Sequence, residues 1–159
     1  MTGTVALLEV DDVIAAELRG ARASRLTVAD GFPRREDDEA LRAYDRGALA
    51  YLVAEDGVVV GTCGTHGPPR TGGTVELGWG LVPGARGRGI GTTAVTQLLE
   101  ETRRRFPTAS IVAHTEWVAD DEVMVADSAA SEAILRRLGF DAEPPPTEPG
   151  YRAWRLGGT

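Results

Sequence analysis

Residues 84–94 read GARGRGIGTTA, and this stretch decides how the rest of the chain is interpreted. Its glycines alternate with two arginines, and the apolar residues after it recur at helical spacing. Glycine lets a backbone approach a ligand closely, and the first turn of a helix presents N–H groups without intrahelical partners. Helix N-termini are therefore favourable places for anions. The stretch predicts an anion-binding loop that leads into a long helix.

Two nucleotide-binding motifs have a different spacing from this loop. A P-loop needs a lysine and a serine or threonine after its second glycine, whereas Gly89 is followed by Ile90 and Gly91. A Rossmann fingerprint reads G-x-G-x-x-G, whereas Gly87, Gly89 and Gly91 are spaced G-x-G-x-G. The remaining alternatives are a loop that binds no ligand and a loop that binds another kind of anion.

The composition is that of one globular domain, which we expect to span residues 1–159. Hydrophobic residues make up 42% of the chain and charged residues 26%, enough for a real core. The net charge of −7 argues against general binding to nucleic acid or anionic lipid. No apolar run approaches the ~18 residues of a membrane span, and the N-terminus lacks the basic start of a signal peptide, so we expect a cytoplasmic protein. One cysteine and two histidines make a metal site unexpected.

The pattern of apolar residues predicts a mixed α/β domain. A strand over 5–9 and two helices precede three strands, and residues 55–57, EDG, are typical of a hairpin turn between the first two of those. The remaining elements are a helix over 89–106, a strand over 110–115, a helix over 128–138 and a last strand over 151–156. We therefore expect a central, mostly antiparallel sheet with flanking helices.

The loop resembles the acetyl-CoA-binding loop of the GNAT family of N-acetyltransferases. Residues 86–91, RGRGIG, match the family's R/Q-x-x-G-x-G/A pattern, and residues 128–140, SAASEAILRRLGF, resemble its later helix. Residues 75–94 look most like the branch that acetylates N-terminal amines of ribosomal proteins. The resemblance implies a GNAT-like acyl-CoA N-acyltransferase fold, acetyl-CoA as cosubstrate, a primary amine as acceptor and, in many members, a homodimer.

The resemblance also implies where the cofactor binds. In the family, the backbone at a bulge of the fourth strand stabilises the oxyanion, and here that place is near Leu81 and Val82. Gly78 and Gly80 fit such a distortion, because glycine in a strand often marks a bulge or a close approach. The remaining implied cofactor contacts are Arg86, Gly87, Arg88, Gly89, Ile90, Gly91, Thr92, Ser128 and Ser131.

The acceptor amine must lose a proton before it can attack the thioester. The resemblance implies that Glu76, on the fourth strand, removes it, with Glu116 as the competing base. Trp79, Glu116 and Trp117 are expected to line the acceptor pocket. Each of these acids is equally compatible with a solvated strand position. His114 and Cys63 lie in β-rich runs without a recognisable partner, and we interpret both as strand residues.

Two features depart from the family pattern. Leu135 stands where many members carry a tyrosine that protonates the leaving thiolate, and Ser128 stands at the asparagine position. The missing tyrosine keeps open a non-catalytic acyl-CoA-binding or regulatory domain, which the presence of Glu76 opposes. The acidic segment 117–127 is predicted either to select a cationic substrate through Asp120, Asp121 and Glu122, or to be an inert surface loop.

Overall fold

The computed structural model describes residues 3–20, 23–69, 73–117, 122–148 and 150–158, with only the backbone described for 122–127. In chain order its elements are β1 (Val5–Glu9), α1 (Asp12–Leu18), α2 (Asp37–Asp45), β2 (Ala50–Glu55), β3 (Val58–Thr65), β4 (Thr74–Leu81), α3 (Ile90–Arg105), β5 (Ser110–Trp117), α4 (Glu122–Arg137), β6 (Phe140–Ala142) and β7 (Gly150–Leu156). None of the helices described is both long enough and apolar enough to cross a bilayer.

All seven strands form one sheet in the order β1-β2-β3-β4-β5-β7-β6. Every neighbouring pair is antiparallel except β4 and β5, which are parallel. The predicted mixed α/β class and mostly antiparallel sheet are therefore confirmed. Strand β6, which was not predicted, is only three residues long and is held by pairing with β7. A segment this short carries no readable periodicity.

The sheet opens between β4 and β5. Their parallel pairing covers Thr74–Leu77 against Ser110–Ala113 and stops there. Beyond that point β4 continues on β3 as far as Leu81, while β5 continues on β7 as far as Trp117. The C-terminal half of β4 is thus paired with β3 and not with β5, and the C-terminal half of β5 is paired with β7 and not with β4. A gap lies between them in the middle of the sheet.

Helices cover the two faces of the sheet. The Arg34 side chain, just before α2, lies across Gly80, because a Cβ there would sit 2.4 Å from Arg34 Nη2. The side chain of the next residue, Leu81, lies near Gly91 of α3. A Cβ on Gly91 would be 3.8 Å from Leu81 Cδ1 and 3.1 Å from Ile134 Cδ1 of α4. Adjacent strand residues point to opposite faces. The α2 side and the α3–α4 side are therefore opposite sides of the gap.

The local signals in the sequence are reproduced for α3 and for the hairpin. Helix α3 buries a continuous stripe of side chains and ends just before Phe106, next to Pro107. The β2–β3 turn has positive φ at both Asp56 (49°) and Gly57 (82°), as a type I′ hairpin requires. Both features follow from short-range chemistry, which is why the sequence predicts them.

Helix α4 differs from its prediction at one end. It begins at Glu122 rather than at residue 128, so the second half of the segment predicted as a loop is helical. Residues 122–127, EVMVAD, contain no glycine or proline that would stop a helix. Its C-terminal end agrees with the prediction, since Gly139 has a φ of 89° just after the helix. Asp120 and Asp121 lie outside the described residues.

Cys63 is a buried residue of β3, as predicted, and we expect it to be unreactive in the folded protein. Its side chain is 2% exposed, and burial raises the pKa of the thiol to about 12. Because the thiolate is the nucleophile, the protonated and inaccessible thiol should not react with Ellman's reagent at pH 8. Labelling in buffer and in urea tests this: one thiol should react only in urea, and rapid labelling in buffer would contradict the burial of Cys63.

Candidate active site

A cleft of about 1310 Å³ runs through the gap between β4 and β5. It extends from the start of α2 on one side of the sheet to the start of α3 and the middle of α4 on the other. The volume exceeds that of a typical pocket for a drug-sized ligand, ~300–1,000 Å³. The cleft therefore offers room for one large ligand that reaches in from one face and a second ligand that enters from the other.

The glycine loop and the first turn of α3 form one end of the cleft. Gly87 and Gly89 have φ values of 74° and 82°, and Gly89 is the N-cap of α3 without a side-chain capping bond. The N–H groups of Ile90, Gly91 and Thr92 belong to the first turn, where α-helices leave donors without intrahelical partners. Gly87, Gly89, Gly91 and Thr92 line the cleft. This is the geometry that favours an anion such as a phosphate group.

The loop arginines are placed differently from each other. Arg86 lines the cleft, and its Nε donates to the carbonyl oxygen of Leu81 at 3.2 Å. Arg88 forms an ion pair with Glu55 of the β2–β3 hairpin, with 2.8 Å between Nη1 and Oε1. The Ile90 side chain is fully buried in the core, so this residue offers the cleft only its backbone. Arg86 is thus the predicted phosphate-binding arginine that the structure places in the cleft.

The predicted bulge at the end of β4 is wrong. The β3–β4 register runs without a shift to Leu81, and Val82 N–H continues it by donating to Val60 O at 2.8 Å. Because antiparallel ladders alternate, the N–H groups of Trp79 and Leu81 point away from β3 and towards the gap. Leu81, and not Val82, therefore presents a backbone donor to the cleft.

Glycines 78 and 80 make room for side chains that cross β4. A Cβ on Gly78 would lie 2.4 Å from His66 Nε2, and a Cβ on Gly80 would lie 2.4 Å from Arg34 Nη2. Both side chains therefore lie flat on the strand at the floor of the cleft. The two glycines therefore mark places where side chains of the protein itself come close to the strand. They do not mark a distortion of the backbone.

Glu76 lies between two histidines. Its Oε1 is 2.9 Å from His114 Nδ1 and 4.0 Å from His66 Nδ1. In the parallel register Glu76 is opposite Val112, two residues before His114 and on the same face of β5. His114 is a residue of β5, as predicted, but the expectation that it has no partner is wrong, because Glu76 contacts it. All three side chains line the cleft, and that of Glu76 is 26% exposed.

The three residues predicted for the acceptor pocket divide between the two faces of the sheet. Trp79 and Glu116 both line the cleft, but Glu116 lies on the same face of the sheet as Glu76, whereas Trp79 lies on the α3–α4 face with Leu81. Trp117 is not among the described residues that line it. It follows Glu116 on β5, so its side chain lies on the opposite, α3–α4 face of the sheet. There the guanidinium of Arg152 lies over its ring, 5.7 Å from the centroid. The assignment of Trp117 to the acceptor pocket is therefore wrong.

Helix α4 contributes two serine hydroxyls to the cleft, but no general acid at the position where a tyrosine is expected. Ser128 and Ser131 line the cleft, and Ser128 Oγ donates to the carbonyl oxygen of Glu116 at 2.7 Å, which ties α4 to the end of β5. Leu135 is fully buried in the core. A phenol reaches the cleft from β7 instead, where Tyr151 lies opposite Glu116 and is 65% exposed.

Two groupings of charged residues complete the site. Arg34 and Asp37 form an ion pair against β3, with the Asp37 side chain 4% exposed. Glu36 and Glu39 line the cleft on the same side as Glu76. Within the described part of the chain, no group of three His, Cys, Asp or Glu side chains could hold a metal ion.

Known proteins share this architecture over nearly the whole chain. A ribosomal-protein-alanine N-acetyltransferase from Brucella melitensis superposes with a TM-score of 0.62 at 21% identity, covering 94% of this chain and 98% of its own. The putative acetyltransferase yncA from Salmonella typhimurium, solved with its cofactor acetyl-CoA, gives 0.60 at 18% identity, with 97% and 94% covered. A spermidine N-acetyltransferase chimera of the Vibrio cholerae enzyme SpeG and hSSAT gives 0.64 at 13% identity, with 96% and 94% covered.

Sequence comparison gives the family. No curated protein sequence is significantly similar to this chain. The family model described as the acetyltransferase (GNAT) domain matches residues 9–141, a segment that includes the glycine loop, both walls of the gap and α4. This match agrees with the resemblance carried by residues 86–91 and 128–140. The chain belongs to the GNAT family of acetyltransferases.

Proposed function

We propose that this protein transfers the acetyl group of acetyl-CoA to a primary amine by direct attack of the amine on the thioester. One observation carries the proposal. The uncapped N-terminus of α3 and the Glu76–His114 pair open onto the same gap in the sheet from opposite sides. An anion-binding end and a proton-accepting end thus share one cleft, which is what an acyl transfer between a phosphate-bearing donor and an amine requires.

The cofactor enters from the α3 side. The pyrophosphate of acetyl-CoA binds the first-turn N–H groups of α3, with Arg86 close enough to add a charge-assisted bond. The acyl end then lies in the gap, where the backbone N–H of Leu81 points. Ser131 lies at the α4 wall of the same space. The yncA structure, which was solved with acetyl-CoA, supports this choice of cofactor.

The acceptor enters from the α2 side. Among the residues whose side chains are described, four carboxylates line that part of the cleft, those of Glu36, Glu39, Glu76 and Glu116. Arg34, which lies across Gly80 on this side, is paired with Asp37. The acidic lining favours a cationic amine over an anionic one. Peptide N-termini and small polyamines both fit this description, as do the alanine and spermidine named for two structural neighbours.

The second candidate is a domain that binds acyl-CoA without turnover. The burial of Leu135 favours it, because α4 then supplies no acid at that position for the leaving thiolate. The Glu76–His114 contact opposes it, since a binding module has no need of a paired base in the cleft. Tyr151 also places an ionisable hydroxyl there.

Thermal unfolding with acetyl-CoA, CoA, ATP and NAD in parallel tests the cofactor. A ligand at ~100 times its Kd adds ~2.7 kcal/mol, which raises the Tm of a domain of this size by several degrees. We expect a rise with acetyl-CoA and CoA and none with NAD. Release of CoA thiol with an alanyl peptide, spermidine and glycinamide then tests transfer. No rise with acetyl-CoA would contradict the proposal, and binding without transfer to any amine would favour the non-catalytic domain.

A further inference from the structure

Both histidines of the chain converge on one carboxylate. His66 follows β3 and His114 lies on β5, and their Nδ1 atoms are 4.0 Å and 2.9 Å from Glu76 Oε1. Only the His114 distance is that of a hydrogen bond. His66 is held separately, since its ring lies across Gly78 and its backbone N–H donates to the carbonyl oxygen of Glu76 at 3.0 Å. The two imidazoles therefore have different relations to the same carboxylate.

We propose that Nε2 of His114 is the atom that takes the proton from the acceptor amine, and that Glu76 is the residue that positions it. This inference rests on the proposed acetyl transfer. A carboxylate is an acceptor only, so the 2.9 Å contact requires that Nδ1 of His114 carries the hydrogen. In the neutral ring Nε2 then bears the lone pair. The His114 side chain is 37% exposed and lines the cleft, so this nitrogen is accessible to an amine.

The types of the two side chains support this division of roles. An imidazole is a stronger base in water than a carboxylate, and a general base works best when its affinity for protons matches the operating pH. Glu76 already uses Oε1 to accept from His114. The negatively charged Glu76 carboxylate beside Nδ1 also stabilises the imidazolium that forms when Nε2 takes the proton. Glu76 therefore acts on the amine through His114.

The step balances without a further reactant. The acceptor ammonium gives one proton to His114 Nε2, and the freed nitrogen lone pair forms the N–C bond to the thioester carbonyl. The C–S bond breaks, and its electron pair leaves with sulfur as the thiolate of CoA. The second N–H proton ends on that thiolate, so the products are the acetamide and CoA thiol. His114 then releases its proton to solvent.

Steady-state kinetics of single and double variants test the assignment, with acetyl-CoA and whichever of the three amines the parent protein acetylates. His114→Ala should lower kcat by about 10²–10⁴-fold, because a general base contributes that much. Imidazole added to the assay should restore part of the loss. Glu76→Gln should lower kcat by no more than His114→Ala does, because the amide no longer fixes the hydrogen on Nδ1 but the ring is still present. The double variant should be no slower than His114→Ala, because Glu76 has no route to the amine without the ring.

His66→Ala is the matched comparison, since it removes the same ring type from beside the same carboxylate. We expect a loss of less than about tenfold and no response to imidazole, because 4.0 Å is too long for the orienting bond. The assignment fails if Glu76→Gln is slower than His114→Ala, if the double variant is slower than His114→Ala, or if the His114 variant matches the parent. Absence of transfer by the parent protein itself refutes the proposed function instead.

Nitrogen-15 NMR of labelled histidine tests the pairing without any acceptor. Two histidines give a simple spectrum, and His66→Ala assigns it. With neutral rings, His114 should carry its hydrogen on Nδ1, whereas free imidazole side chains favour the other tautomer. Glu76→Leu should return His114 to that other tautomer. A parent protein with His114 protonated on Nε2 would overturn the assignment whatever the kinetics show.

Discussion

Acetyl-CoA should bind about 100-fold more weakly when Gly91 is replaced by glutamate, a change of about 2.7 kcal/mol in binding free energy. Gly91 lies in the first turn of α3, lines the cleft, and has the end of the Ile134 side chain 3.1 Å from where its Cβ would be. A carboxylate there competes for the first-turn N–H groups and repels the pyrophosphate. The fold should be retained, because glutamate is a better helix former than glycine and suits a helix N-terminus.

Thr93→Glu is the control for this prediction. It adds the same charge in the same part of α3, but Thr93 is exposed and is not among the described residues that line the cleft. Its effect on acetyl-CoA affinity should stay under about tenfold, because solvent and salt screen an exposed charge. Titration calorimetry measures both affinities, and circular dichroism checks the fold. Equal affinities of the Gly91 variant and the parent would place the pyrophosphate elsewhere.

The parts of the fold that the sequence predicts are those encoded by neighbouring residues. The buried stripe of α3 repeats every three or four residues, and the Asp56-Gly57 turn needs only two positions with positive φ. Strand β6 was missed because three residues show no period, and its existence depends on β7, which follows in the chain. Pairing partners of this kind are tertiary information.

The candidate site likewise has one part that neighbouring residues encode and another part that depends on tertiary contacts. The anion-binding loop is contiguous, so its residues were predicted together, whereas Glu76 and His114 are brought together by the register of β4 on β5. No local signal fixes that register. The face on which Trp117 lies is a different case, because the sequence alone could predict it. Trp117 follows Glu116 on a strand, and two adjacent strand residues cannot both lie on one face. That alternation was available from the sequence alone.

Asp37→Ala should destabilise the protein by about 3–5 kcal/mol, which is the range for breaking a buried ion pair by removing one partner. Asp37 is 4% exposed and accepts four hydrogen bonds. Three come from Arg34, through its backbone N–H and its guanidinium, and the fourth comes from Thr62 Oγ1 at 2.6 Å. The alanine variant leaves the largely buried guanidinium without its counter-charge and the Thr62 hydroxyl without its acceptor. Urea unfolding of the parent and the variant measures the difference.

Two further variants separate lost charge pairing from simple damage to α2. Asp38→Ala removes an exposed acid from the same first turn and should cost about 0.5 kcal/mol, the value of one charge on the helix dipole. Adding Arg34→Met to Asp37→Ala should recover part of the stability, because the unpaired charge is then gone. A loss below about 1 kcal/mol for Asp37→Ala would mean that water reaches Arg34. The guanidinium over Gly80 would then be a solvated, movable part of the acceptor site rather than a fixed part of its floor.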